Sequence, residues 1–387
     1  MTRKICIVTG TRAEYGLLKP IMHSVNNDPG LTLQIIATSM HLSPEFGLTY
    51  REIESDGFQI DSKIEMLLSS DSSVGITKSV GIGLIGFAEV LDQLKPDVLL
   101  VLGDRFELLA AVSAALIACI PVAHIHGGEI TEGAFDEQIR HAITKMSHLH
   151  FVAAEVYRKR VIQMGEQPTS VFLVGGLGID NIKQTKLLTK QELADALNIR
   201  FSSKNLLITF HPVTLDKDDS EGQLTELLAA LDTLQETTLI FTAPNADTCS
   251  RKLIEMIKRF VTTHENAYLF TSLGHLKYLS CIKHVDAVVG NSSSGLLEVP
   301  TFKKGTVNIG DRQKGRLIAK SVINCDPDKN AIMSAIDELY SMNFQKKLTD
   351  VSNPYGEGGA TDKIVGILKT QNLLNITKKV FYDLSAE

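Results

Sequence analysis

Along the chain, short runs of apolar residues alternate with stretches whose apolar positions recur every three or four residues. "KICIVTG" near the amino terminus is hydrophobic almost throughout and ends in glycine, the pattern of a parallel strand covered on both faces. A helical pattern follows over "YGLLKPIMHSV", with Pro20 expected near its first turn, where the missing N–H costs least. The rhythm continues through "LTLQIIATS", a helix around 86–94, "PDVLLVLGD", the helix "RFELLAAVSAALIAC", "IPVAHIHGG", the helix "DEQIRHAITKMS", "HLHFVAA", the helix "EVYRKRVIQMG" and "SVFLVGG". It breaks over the polar stretch "DNIKQTKLLTKQELADALNIRFSSK". It then resumes with "NLLITFHP", a helix in 220–236, "TTLIFTAPN", a helix in 247–263, "AYLFTSLG" and the helix "HLKYLSCIK". "VDAVVGNSS", the helix "SGLLEVPTF", "GTVNIGD" and "KSVINCD" follow, before helices near 329–342 and 361–373.

Repeated β-then-α units with continuously hydrophobic strands predict an α/β protein built on parallel sheets. The break divides the 387 residues into two doubly wound, Rossmann-like domains facing a cleft. The expected bounds are 1–175, 176–365 and a C-terminal helix or tail, 366–387, packing back on the first domain. Ligands of such sheets bind beyond the carboxyl ends of the strands, so the residues directly after the apolar runs are the candidates. They are Arg12 and Glu14, then Asp104 and Arg105, then the segment from His124. In the second half they are His211 and Pro212, Pro244 and Asn245, "NSSSG", and Asp311, Arg312 and Arg316. Nearly every strand delivers polar groups to one edge.

Composition narrows the function classes. A net charge of −6 implies no broad polyanion-binding surface, so no nucleic-acid partner is expected, and an acidic ligand needs a local basic site. Arg12, Arg105, Arg312 and Arg316 can bring charge-assisted bonds to a diphosphate. Five scattered cysteines without a CxxC pair read as reduced, buried thiols of a cytosolic protein. "MTRK" leads into only four apolar residues, which is no secretory signal. The uncharged apolar run from Leu108 to Ile120 is shorter than the ~20 residues of a spanning helix. A cytoplasmic location without membrane partners is expected.

"HIHGGEITEGAFDEQIRHAITKMSH", 124–148, gathers His124, His126, Glu129, Glu132, Asp136, Glu137, His141 and His148. On a strand, His124 and His126 share a face, so a metal held with Glu129 is one reading. No third ligand stands at a recognisable spacing, and no metal is expected. His141 and His148 read as packing histidines, Glu132 as loop polarity, and Glu137 with His141 as a helix-face pair. In "GNSSSGLLE", a helix starting at 292–295 would aim free N–H groups at a phosphate; plain N-capping is the alternative. "TGTRAEYG" resembles a phosphate turn but carries neither GxGxxG nor GxxxxGK[ST].

Taken together, "TGTRAEYG", "LGDRFELLA", "HIHGGEITEGAFDEQIRHAITK", "FHP", "GNSSSGLLEVP" and "NIGDRQKGR" resemble the hydrolysing UDP-N-acetylglucosamine 2-epimerases, especially those of sialic-acid and related nonulosonate biosynthesis. They are also similar to the epimerase half of the animal bifunctional epimerase/N-acetylmannosamine kinase. The resemblance implies a glycosyltransferase-B-like fold, a UDP-sugar in the cleft, a homodimer, and no nicotinamide or metal cofactor. It implies that Arg12 touches the diphosphate, that Asp104 and Arg105 serve acid–base chemistry and phosphate or sugar contact, and that His211 approaches the phosphates. Ser292, Ser293 and Glu298 would hold phosphates and ribose, and Arg312 would lie toward the uracil. Asn245 is placed with this nucleotide-binding group. Many relatives carry a catalytic Glu where His126 stands, which leaves the role between His126 and Glu129. The choice between Asp136 and Glu137 stays open through a one-residue difference in spacing.

The implied reaction turns UDP-N-acetylglucosamine into UDP and N-acetylmannosamine. The C–H beside the acetamido group is not acidic until UDP departs and leaves a cation-like anomeric carbon. Elimination gives a 2-acetamidoglucal, and water adds back with the new proton on the opposite face. Proton-handling groups on both sides of the ring are therefore needed, and Asp104, His126, Glu129 and Asp136 are the candidates. The same chemistry on a UDP-2,4-diacetamido-trideoxyhexose of the legionaminic acid pathway is the nearest alternative. A transferase of the same fold and a non-catalytic nucleotide-sugar sensor are the more distant ones.

Overall fold

Thirteen strands, all parallel, make two sheets among the residues described by the computed structural model, 2–68, 72–130, 136–212, 220–244 and 250–384. The chain divides into two units, Met1–Asn181 with Gly358–Glu387, and Ile182–Glu357.

The first unit holds β1 (Arg3–Thr9), β2 (Leu31–Thr38), β3 (Ser62–Ile64), β4 (Val98–Leu102), β5 (Val122–Ile125), β6 (Leu149–Val152) and β7 (Val171–Leu173). Their order is β3-β2-β1-β4-β5-β6-β7. The chain winds outward from β1 to β3, then crosses back to lay β4 on the other side of β1. The β1/β4 junction is therefore the point where strand order reverses, the place where such sheets take ligands. Alternate residues of β1 feed opposite faces: Ile5 and Ile7 join one core cluster, Cys6 and Val8 the other. That two-sided burial is why the strands read as unbroken hydrophobic runs.

The second unit holds β8 (Lys204–Thr209), β9 (Thr237–Thr242), β10 (Ala267–Phe270), β11 (Ala287–Gly290), β12 (Gly305–Ile309) and β13 (Val322–Cys325). Their order is β10-β9-β8-β11-β12-β13, with the reversal between β8 and β11.

Several elements differ from the expectation. The boundary falls at Asn181/Ile182, and the chain returns to the first unit at Gly358, whereas the sequence suggested 175/176 and 365/366. The later position would cut through the helix Ala360–Thr370, whose Ile364 and Leu368 are fully buried in the first unit's core. The polar stretch after 176 contains two helices, Leu177–Gln184 and Lys190–Leu197. Pro20 lies well inside the first helix, because a capping box between Thr11 and Glu14 starts that helix at Arg12. "SGLLEVPTF" yields one α-turn, Ser294–Leu297, and then a 3₁₀ turn, Val299–Phe302, opened by Pro300. Helix Ser73–Leu94 extends far beyond the expected 86–94 and has the length and hydropathy of a membrane span. Its Phe87 and Leu91 are built into the first unit's core.

Candidate functional site

In the first unit, loops after β4 and β5 meet the start of the helix Asp136–Met146. Arg140, one turn into that helix, organises them. Its guanidinium pairs with Asp104 through Nη2, approaches Glu129 at 3.5 Å and donates to the His126 carbonyl at 3.2 Å. The Arg140 side chain is 6% exposed, so these are interactions of low effective dielectric. His126 Nδ1 stands 3.6 Å from Glu129 Oε1. Three expected proton-handling residues, Asp104, His126 and Glu129, thus converge on one arginine. Arg140 itself went unnoticed in the sequence, where it is one charge on an amphipathic helix.

Asp136 opens the helix, half-buried, and its carboxyl titrates above the ordinary range because of burial and then the nearby charge of Asp104. Arg105 and Arg140 oppose that rise. Glu137 instead faces His141 at 3.7 Å, one helical turn along as the spacing predicted. The geometry therefore favours Asp136 over Glu137 as the group in this cluster.

The two histidines of "HIH" do not share a face. β5 ends at Ile125, and His126 adopts φ +66, a left-handed backbone uncommon outside glycine. His124 is buried between Gly103 O at 2.7 Å and Thr144 Oγ1 at 3.2 Å. Burial presses its imidazole well below the usual range, to about 3. Both its nitrogens are engaged, and it ties the loop carrying Asp104 to the helix carrying Arg140. No group of three or more His, Cys, Asp or Glu suited to a metal exists among the described residues. His148 is buried and accepts from the Val122 N–H at 3.1 Å, a packing role. Glu132 lies outside the described residues.

"TGTRAEYG" is not an open phosphate turn. The N–H groups of Gly10 and Thr11 donate to Glu14 Oε2 at 2.8 and 3.2 Å, so the chain's own carboxyl fills the position. Arg12 is 56% exposed and paired with Glu52 at 3.0 Å, a surface pair an incoming anion can displace. Arg105 is held by Glu107 at 2.7 Å.

The second unit gathers its candidates around Asn291, the first residue of the strand-end segment "NSSSG", for which the sequence suggested no role of its own. Its side chain accepts from the His211 N–H at 2.7 Å and donates to His211 O at 2.8 Å. Its carbonyl accepts from Arg312 Nη1 at 3.0 Å and Gln313 Nε2 at 2.9 Å. One fully buried amide thus joins the loops after β8, β11 and β12. Gly290 before it has φ +135, and a Cβ there would collide with the Thr209 carbonyl, so no other residue fits this crossing.

His211 is buried, and burial, followed by the Arg312 charge, lowers its imidazole to about 4. It is neutral at pH 7 and able to donate one N–H. Ser292 and Ser293, which follow Asn291, are half-buried. The four-residue helix that follows is too short for the dipole-based phosphate site suggested by the sequence. Glu298 accepts from Ser294 Oγ, while burial pushes its carboxyl upward. Asn245 lies outside the described residues. A cavity of about 580 Å³ is lined by Asp311, Gln313, Asn324, Cys325 and Glu338 among others. It flanks β12 and β13 rather than the β8/β11 reversal.

Of the cysteines, Cys6 and Cys281 are buried as expected, but Cys119 is exposed and Cys325 half-buried. Cys119 lies two residues past the end of the helix Phe106–Ile117, with φ +57. Cys249 lies outside the described residues.

The family model for UDP-N-acetylglucosamine 2-epimerase matches residues 23–369. A GDP/UDP-N,N'-diacetylbacillosamine 2-epimerase (hydrolyzing) of Campylobacter jejuni is 45% identical over 99% of both chains. The polysialic acid biosynthesis protein P7 of Escherichia coli is 39% identical over 99% of this chain and 98% of its own. The crystal structure of UDP-GlcNAc 2-epimerase from Neisseria meningitidis, bound to UDP-GlcNAc, superposes with a TM-score of 0.74. It covers 94% of this chain and 99% of its own at 20% identity, which is agreement of fold. With the strand order, the clustered acid–base groups and the matched motifs, these likenesses establish that the chain belongs to the UDP-N-acetylglucosamine 2-epimerase family.

Proposed function

We propose that this nucleotide-sugar 2-epimerase is hydrolysing and acts on a nucleotide-linked 2,4-diacetamido-trideoxyhexose, releasing the nucleoside diphosphate and the free 2-epimer. The observation that carries the substrate is the 45% identity, over essentially the whole chain, to a relative named for diacetylbacillosamine. UDP-N-acetylglucosamine, the substrate the sequence motifs first suggested, is the second reading; a Neisseria meningitidis relative named for that substrate, 29% identical over the whole chain, supports it.

In the first half-reaction a base takes the C2 proton as the C1–O bond to the diphosphate breaks. In the second, water supplies hydroxide to C1 and C2 is reprotonated from the other face. Asp104, ion-paired to Arg140, suits the base, and Asp136, whose carboxyl is raised by burial, suits the acid. Neighbouring carboxyls in unlike electrostatic settings are how such roles are divided. His126 and Glu129 form a proton-handling pair for the opposite face or for water. Arg12, Arg105, His211, Ser292, Ser293, Glu298 and Arg312 are the groups suited to the nucleotide and its diphosphate.

We further propose a cytoplasmic homodimer. Val74, Ile82 and Ile85 on one helix and Leu116 and Ile117 on another are all at least 40% exposed, an apolar surface suited to a second copy. Ile85→Lys with Ile117→Lys is expected to yield a monomer by sedimentation; an unchanged mass removes that surface.

The deciding assay incubates the protein in D₂O with chelator, no acceptor, and either the UDP-diacetamido sugar or UDP-N-acetylglucosamine. Release of UDP with deuterium at C2 of the epimerised sugar is expected, faster with the diacetamido substrate. A preference for UDP-N-acetylglucosamine reverses the substrate choice, and turnover that requires an acceptor rejects the epimerase reading.

A further inference from the structure

Just after β1, beside the β1/β4 reversal, two buried glutamates approach Gly10. Glu14 reaches back from the first helix to accept its N–H at 2.8 Å. Glu107, fully buried, lies so close against Gly10 that a Cβ there would collide with its carboxyl. Each carboxyl uses one oxygen: Glu14 Oε2 takes the Gly10 and Thr11 N–H groups, and Glu107 Oε1 takes Arg105 Nε at 2.7 Å. The other oxygen of each, Glu14 Oε1 and Glu107 Oε2, is buried with no donor among the described residues.

Two adjacent buried carboxylates with two idle acceptors would be costly twice over, through like-charge repulsion and through unsatisfied oxygens. A single proton between them removes both penalties. We propose that Glu14 is protonated at neutral pH and donates to Glu107, and that the pair acts as a positioning device for Arg105. In the resulting chain Glu14 is pinned by the Gly10 and Thr11 amides, Glu107 is oriented by Glu14, and Arg105 is oriented by Glu107. The Glu14 carboxyl is accordingly raised to about 8, by burial first and the Glu107 charge second. The other titratable groups around the pair are Arg105, Asp136 at the start of the neighbouring helix, and His41. The last is bound to Thr9 at 3.0 Å and lowered by burial to about 4, so it carries no charge at pH 7. Losing the proton would set two anions competing beside Arg105, a residue assigned above to the nucleotide diphosphate. In that respect the inference rests on the proposed function.

Gln at position 14 separates this from a purely structural role. Its amide oxygen can keep the Gly10 and Thr11 bonds while its NH₂ donates to Glu107, permanently mimicking the protonated acid. Two readouts are needed. In the substrate-free protein at pH 7, infrared difference spectroscopy should show a protonated-carboxyl C=O band that E14Q lacks. In steady-state kinetics, wild-type kcat/KM should fall above about pH 8, whereas E14Q should stay within about threefold of wild type at pH 7 and lose that alkaline limb. E14A, with neither donor nor cap, should lose about tenfold or more, mostly through KM for the nucleotide sugar. A missing infrared band, or E14Q as impaired as E14A, overturns the proposal. If the band behaves as stated but neither sugar is turned over, the shared proton stands and the proposed function fails.

Discussion

Arg140→Met is the most informative perturbation of the first unit's site. Methionine keeps much of the side-chain volume but removes every charge-assisted bond the guanidinium makes. What remains is Asp104 and Glu129 facing each other across an apolar group, with the His126 carbonyl stripped of a 3.2 Å donor. Breaking a buried ion pair by deleting one partner costs about 3–5 kcal/mol. Asp104 is 22% exposed, so water softens that figure, and about 2–4 kcal/mol is the expected loss. The chain has no tryptophan, so urea unfolding is best followed by circular dichroism. A double-mutant cycle gives the sharper number. In an Asp104→Asn background the same Met should cost less by about 1–3 kcal/mol, because half of the broken interaction is already gone. Turnover should vanish in both single variants while UDP binding persists. A cycle that closes to within about 0.5 kcal/mol, or an Arg140→Met enzyme of normal rate, would refute Arg140 as the organiser of this cluster.

Other outcomes follow from the same geometry. Asn291→Ala strands the buried His211 N–H and C=O and should cost about 2–5 kcal/mol, with weaker UDP binding by calorimetry; unaltered affinity would separate Asn291 from the nucleotide loops. Gly290→Ala, at φ +135, should give little soluble protein, and a normally folded variant would contradict the close strand crossing. His211 is lowered to about 4 from an unfolded value near 6.5, so its neutral form contributes fully above pH 6.5 and is lost as pH falls toward 4. His211→Gln should therefore flatten the acid side of a stability–pH curve by up to about 3 kcal/mol, and an identical slope would refute it.

What the sequence disclosed follows from the kind of physics each feature obeys. The strands were legible because both sheets are covered on two faces, so β4 and β11 read as plain apolar runs. The three-residue β3 was too short to show a period. Lys190–Leu197 was overlooked although Thr189 and Glu192 spell a capping box, since its surroundings are polar. Strand-end motifs located Asp104, Glu129 and His211, because chain reversal alone puts such residues at the sheet edge. The roles of Arg140 and Asn291 stayed hidden, although "NSSSG" drew attention to the second, because they lie in partners 11 to 80 positions away, a relation created only by folding. The pairing of Glu14 with Glu107 was equally invisible: it depends on Glu107 arriving from the first turn of another helix, Phe106–Ile117.

The first unit is closed by the helix Ala360–Thr370. Ile364 and Leu368 complete a core begun by Ile5 and Ile7, with the whole second unit inserted between. During synthesis, therefore, the amino-terminal half must wait, its apolar seam uncovered, until residues 360–370 have left the ribosome. The inserted unit, whose strands all lie between 204 and 325, can mature first. Truncation just before residue 358 should consequently spare the later-made unit and strand the earlier one, inverting the usual order in which nascent domains become self-sufficient.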